Sequence, residues 1–244
     1  PSCPARRPPS VCCAARPDAR ILLLCSPHNP VGRVWSEEEL TAVLDIARRH
    51  RLVVVSDEIH CDLTFTDKPR HTMLAKLAGP EDALVTAVAP SKSFNMPGLG
   101  LSALVIPDAD RRKAMKDVFE SMHLPQCNPF SIAGFEAGYR HGAPWLDDLM
   151  AYLQASRDYV VEAVGQRLPA IRVSAPEGTY LMWLDCRELG LDDAGLKRFF
   201  VREARVGMNP GLSFGDPGSG FMRLNIGCAR SVLEEVIGRI EAAL

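Results

Sequence analysis

Ile21-Leu-Leu-Leu-Cys-Ser-Pro-His-Asn-Pro-Val-Gly-Arg33 decides the fold. Ile21–Ser26 is a continuous apolar run that ends in a cluster of turn formers, Pro27 to Gly32. Such a run, without polar alternation, predicts a strand buried on both faces. Ser36 and Glu39 then have the spacing of a capping box, and Leu40, Val43, Leu44 and Ala47 follow at helical intervals. Leu52–Ser56, Leu84–Ala89 and Leu101–Ile106 repeat the apolar-strand signature. Strand, helix, strand with nearly all-apolar strands predicts an α/β fold, its sheet largely parallel and covered on both faces.

Outward from this core the texture changes. Residues 1–20 hold five prolines, four arginines and a single acid, Asp18, with no apolar period, which reads as an unmatched tail without stable structure. Beyond residue 107, Arg111–Met122 is a charged helix. Pro144 opens a long helix with Leu146, Leu149, Met150, Leu153, Val160 and Val164 on its apolar side. The remainder reads as a small α+β unit with strands at Ile171–Ser174, Thr179–Asp185 and Phe221–Gly227. Its helices are expected at Asp192–Ala204 and Ser231–Leu244, with Ser231 and Glu234 forming a second capping box. The expected organisation is a tail (1–20), a large domain (21–140), a connecting long helix (141–168) and a small C-terminal domain (169–244).

Charge excludes some classes of partner. With 28 basic and 30 acidic residues the net charge is −2, which gives no electrostatic reason to expect nucleic acid or an anionic membrane. No apolar run approaches the roughly 20 residues needed to span a bilayer. The eight cysteines form no Cys-x-x-Cys pair and the six histidines lack metal-ligand spacing, so no metal is expected. Buried free thiols in a reducing, cytoplasmic compartment are the expectation instead.

Chemistry in an open α/β sheet gathers at the carboxyl ends of the parallel strands. The first strand end supplies Asn29, the second Asp57 and His60, the third Ser91-Lys92-Ser93. Each alone has a bland reading: a turn former, a helix cap, a core histidine, a solvated amine. Yet of six lysines only Lys92 directly follows a buried strand and precedes a glycine-containing loop, Pro97-Gly98-Leu99-Gly100. Partial desolvation there favours the neutral, nucleophilic amine that covalent chemistry on carbonyls requires. Farther on, Met222, Leu224 and Ile226 take one strand face and leave Arg223 and Asn225 on the other. Ser213-Phe-Gly-Asp-Pro-Gly-Ser-Gly220, phosphate-like in composition, reads as a turn before that strand.

Four motifs together carry a resemblance: Ser26-Pro-His-Asn-Pro-Val-Gly-Arg33, Ser56-Asp-Glu-Ile-His60, Ala89-Pro-Ser-Lys-Ser-Phe-Asn95 and Arg223-Leu-Asn225. From about residue 21 to the C-terminus the chain resembles fold-type I pyridoxal-phosphate enzymes of the class I/II aminotransferase superfamily. Within them it is similar to the cystathionine β-lyase and maltose-regulon-modulator branch, as are Asn128–Ala133 and Glu177–Asp185. The resemblance implies an aspartate-aminotransferase-like large domain, its sheet incomplete on the N-terminal side, plus a small α+β domain. It implies pyridoxal 5′-phosphate as cofactor and a homodimer.

The resemblance also assigns roles. Lys92 would form the Schiff base with the cofactor and handle the substrate Cα proton. Asp57 would pair with the pyridinium nitrogen, Asn29 would donate to the ring's phenolic oxygen, and Ser91 would contact the phosphate. Arg223 would hold the substrate α-carboxylate. His60 stands where many transaminases have tyrosine, and Gly100 where many have a phosphate-binding arginine; both departures point to the lyase branch. The implied activity is carbon–sulfur β-lyase action on cystathionine or cysteine S-conjugates, giving a thiol, pyruvate and ammonia. The alternatives are an aminotransferase using the same residues, and a non-catalytic fragment or regulatory domain. Because the resemblance begins partway through the large domain, an unpaired edge and uncovered apolar faces are expected beside Ile21–Ser26.

Overall fold

A computed structural model describes residues 18–124 and 128–244, so the expectations for 1–17 and for Cys127 lie outside the described residues. The chain divides into two units, one of residues 18–27 and 34–147, the other of His28–Arg33 and Asp148–Leu244.

In the first unit β1 (Ile21–Cys25) runs parallel to β2 (Val53–Asp57), and β2 parallel to β3 (Leu84–Val88). The helix between β1 and β2, α1 (Glu37–His50), starts at the expected capping box: the Ser36 hydroxyl accepts from Glu39 N–H, and the Glu39 carboxylate accepts from Ser36 N–H. Leu40, Val43, Leu44 and Ala47 of α1 pack on Leu24, Leu52, Val54 and Leu84, the core of this unit. After β3 come a four-residue helix, α2 (Pro90–Ser93), and β4 (Ala103–Val105). Two helices follow, α3 (Ala109–Ser121), capped by Asp108, and α4 (Pro129–His141).

Three expectations for this unit need correction. β4 is shorter than expected and pairs antiparallel with β3, which leaves the sheet largely parallel, as expected. Apolar content alone cannot give a strand's direction. The face away from α1 is also only partly covered among the described residues: Val85 in its middle is buried, but its margins are open. Strand side chains alternate, so Leu22 and Leu24 turn toward α1 while Ile21 and Leu23 turn away, 58% and 78% exposed. Leu104, on that same face, is exposed as well. The uncovered apolar surface beside β1 thus matches the expectation drawn from the resemblance. Finally, α4 was not read as a helix, although Asn128 accepts from Ser131 N–H at 2.9 Å as its N-cap and Pro129 takes the first position.

Helix α5 (Ala143–Arg167) begins in the first unit and runs on into the second. The second unit holds an antiparallel sheet in the order β5 (Arg172–Val173), β6 (Leu181–Asp185), β8 (Phe221–Asn225), β7 (Asn209–Pro210). Helices α6 (Asp193–Arg198) and α7 (Arg230–Ala243) complete it. Its core joins Val160 and Val164 of α5 to Met182, Leu184, Phe200, Met222, Leu224 and Ile237. The helix expected to reach Ala204 leaves α geometry after Arg198 and widens into a π turn, Phe199–Glu203. That turn buries two consecutive aromatics, Phe199 and Phe200. The second capping box does not form. α7 starts at Arg230 behind Ala229, which places Ser231 inside the first turn rather than at its cap. Residues 213–220 are short helical turns leading into β8, as the turn reading has it.

The loop His28–Arg33 is built into this second unit. His28 N–H donates to Arg33 O and Gly32 N–H to His28 O, both at 2.7 Å, while Gly32 O accepts from Glu177 and Gly178 N–H. Gly32 has φ +69°, and a Cβ on it would lie 2.4 Å from Pro176 Cβ and 2.8 Å from Gly178 O. Gly32→Ala therefore combines strain with a backbone clash. It should cost about 1–3 kcal/mol, read as a lower urea midpoint for the second unit, with Asn29 displaced.

Candidate active site

Asp57 is the last residue of β2 and lies half-buried on the face of the sheet away from α1. Its Oδ1 accepts from Ile59 N–H at 3.3 Å, and its backbone carbonyl accepts from Ser26 N–H at 3.0 Å. His60, in the turn that follows, is buried. On the neighbouring strand, β3 ends at Val88 and passes through Ala89 into α2, which carries Ser91 and Lys92, both half-buried. Lys92 makes no hydrogen bond or ion pair among the described residues.

The backbone around Lys92 is held by its neighbours. Ser93 Oγ donates to Asp62 Oδ2 at 2.6 Å, which ties α2 to the turn carrying His60. The Phe94 ring meets Tyr139 edge-on, with centroids 5.5 Å apart. Gly138 and Gly142 make room for that ring: a Cβ on either would stand 2.9 or 2.5 Å from it. The first unit therefore brings Asp57, His60, Ser91 and Lys92 together at the carboxyl ends of two adjacent parallel strands.

Asn29 and Arg223 meet in the second unit. Arg223 Nη1 donates to Asn29 Oδ1 at 2.8 Å, and Nη2 donates to Asn209 Oδ1 at 2.8 Å. The guanidinium carbon lies 4.8 Å from the centroid of the Phe214 ring. Arg223 Nε is buried without a hydrogen-bond partner among the described residues, and burial draws the guanidinium below the ordinary arginine value. Two amides and a ring thus fix the plane of the guanidinium in the way that recognition of a planar anion requires. Because Asn29 spends its carbonyl on Arg223, its amide nitrogen, which can only donate, is left for another acceptor. Sequence reasoning missed Asn209 and Phe214. The signal for Asn209 was a pairing register, Asn209 opposite Arg223, which no local pattern announces.

It also missed the most buried ionisable contact in the first unit. Glu58, with its side chain 0% exposed, receives Ser56 Oγ at 2.8 Å and Leu74 N–H at 3.1 Å on Oε1. Its Oε2 lies 2.6 Å from Nε2 of His71, whose Nδ1 is 3.4 Å from Ser26 Oγ. The described cysteines 25, 61, 186 and 228 are all free thiols, but only Cys186 is fully buried. Burial pushes the Cys61 and Cys186 thiols up to about 12, so neither serves as a nucleophile near neutral pH. Among the described residues no helix is long and apolar enough to cross a membrane.

A half-buried amine and a half-buried carboxylate thus stand at adjacent strand ends of the first unit, and an amide-held arginine stands in the second. The family of aminotransferases class I and II matches residues 10–240, and the chain belongs to that family. Its fold is the fold-type I, aspartate-aminotransferase-like one. The chain is 39% identical over 229 residues to cystathionine beta-lyase PatB of Bacillus subtilis, a match covering 93% of this chain and 59% of that protein. Against the protein MalY of Escherichia coli the identity is 38%, with 93% and 58% covered. Among solved structures, a PLP-bound putative aminotransferase from Clostridium difficile superposes with TM-score 0.90 at 39% identity, covering 93% of this chain and 58% of that one. Cystalysin from Treponema denticola, whose structure contains pyridoxal 5′-phosphate, gives TM-score 0.89 at 33% identity, with 92% and 57% covered. The chain thus spans a little under three fifths of the length of these relatives.

Proposed function

We propose that this chain carries the catalytic residues of a pyridoxal-phosphate-dependent carbon–sulfur β-lyase acting on cystathionine or a cysteine S-conjugate. The observation that carries the reading is Lys92, a half-buried amine without a partner among the described residues, placed one strand over from the Asp57 carboxylate. The donor set fits the cofactor. Asp57 is an acceptor for a ring N–H, the Asn29 amide nitrogen is a donor for a ring oxygen, and Lys92 is an amine for an aldehyde. Ser91 is assigned to the phosphate and His60 to the neighbourhood of the ring oxygen. When bound, the cofactor supplies an electron sink for the charge left at Cα.

The chain's own residues do the rest. Arg223 binds the substrate carboxylate and so orients the Cα–H bond. Lys92 Nζ takes the Cα proton. The Cβ–S bond then breaks, the sulfur leaves with the bonding pair as thiolate, and hydrolysis of the remaining three-carbon fragment gives pyruvate and ammonia. Asp57, whose Oδ1 accepts from Ile59 N–H, would accept the hydrogen bond of the ring nitrogen. We also propose a homodimer in the reducing cytoplasm, the second point supported by the four free thiols.

Incubation with L-cystathionine tests the activity. Pyruvate should form without any added 2-oxo acid; strict dependence on a 2-oxo acid would instead identify a transaminase.

A further inference from the structure

Glu58 directly follows Asp57 but points the other way. Along β2 and the residue after it, Ser56 and Glu58 turn to the α1 face while Asp57 turns to the opposite face. On the α1 side Ser56 Oγ donates to Glu58 Oε1 at 2.8 Å, a bridge from one neighbour of Asp57 to the other beneath it. Leu74 N–H donates to the same Oε1, His71 meets Oε2, and His71 reaches on to Ser26 at the end of β1. The backbone is fixed at the same place: Glu58 N–H donates to Ala87 O at 2.9 Å, and Asp57 O accepts from Ser26 N–H. A carboxylate this buried is costly unless every oxygen is satisfied, and here the whole arrangement surrounds one residue.

We propose that Ser56, Glu58 and His71 are positioning residues for Asp57, a clamp on the far side of the strand that sets the direction of its carboxylate toward the cofactor nitrogen. The inference rests on the reading of Asp57 given above. The network touches no reacting atom; it works by fixing the two peptide units that flank Asp57, so that the carboxylate needs no reordering when the ring nitrogen arrives.

Hydrogen exchange and cofactor binding on the full 244-residue chain test this. The Ile59 amide, which donates to Asp57 Oδ1, reports the carboxylate's direction, and the Leu74 amide reports the clamp itself. Leu44→Ala in the α1 core is the control for lost stability alone. At matched global stability, adjusted with denaturant, His71→Ala should speed exchange at Ile59 and Leu74 about 10-fold beyond Leu44→Ala and weaken pyridoxal 5′-phosphate binding about 10-fold. His71→Gln, which keeps an N–H donor, should restore both to about twofold of the unmodified chain. If His71→Ala does not fold, Ser56→Ala removes one donor only and should shift the same two amides in the same direction. Ile59 exchange that is equal in the clamp variant and in Leu44→Ala overturns the proposal. An unmodified chain that binds no pyridoxal 5′-phosphate, while Ile59 still responds to His71, overturns the cofactor reading and leaves the clamp supported.

Discussion

Lys92→Ala should leave the chain folded and remove pyruvate release, with a fall in kcat of about 10²–10⁴-fold, the usual worth of a positioned proton-transfer group. The visible absorbance band of chain reconstituted with pyridoxal 5′-phosphate should disappear with it. Stability is not at stake, because Lys92 pairs with nothing among the described residues. The segment around it is held instead by Ser93 on Asp62 and by the Phe94 ring against Gly138 and Gly142. Lys92→Arg separates charge from proton transfer: the guanidinium keeps the cation but cannot be deprotonated, so it should be as inactive as alanine. Retention of the band and of more than a tenth of the rate in Lys92→Ala would remove Lys92 from the reaction.

Glu58→Ala should be the most destabilising single change in the first unit. It deletes the shared acceptor and leaves the Ser56 hydroxyl, the Leu74 N–H and His71 facing an emptied, buried space. Breaking one partner of a buried ionisable pair costs about 3–5 kcal/mol, which for a unit of this size is a fall in Tm of roughly 10–20 °C. Glu58→Gln keeps acceptor and volume and should lose distinctly less. Thermal unfolding followed by circular dichroism checks the order, and a loss below about 1 kcal/mol for Glu58→Ala would show that solvent or rearranged neighbours satisfy the site.

Local signals in the sequence were enough for much of this architecture. Apolar runs located β1, β2 and β3 to within a residue, and the Ser36–Glu39 box located α1 because both halves of that signal lie within one turn. The strand ends with their Asn29, Asp57, Ser91 and Lys92 followed from the same segmentation. What stayed hidden depends on pairings between distant residues. Arg223 meets Asn29 across 194 positions, and His71 meets Glu58 from a loop without periodicity. The direction of β4 is likewise a property of assembly rather than of composition. The Ser231–Glu234 spacing shows the opposite failure: a valid local signature lost when the helix started two residues earlier than it implied.

Ile21 and Leu23 have one more effect, on the solution rather than on the site. Among the described residues, two aliphatic side chains stand open on the outermost strand of a sheet, the kind of margin on which further strands add. Such association grows with concentration and with temperature up to the point of unfolding, and a net charge of only −2 does little to oppose it. The run that specifies the first strand so clearly is therefore also where self-association of the chain would start.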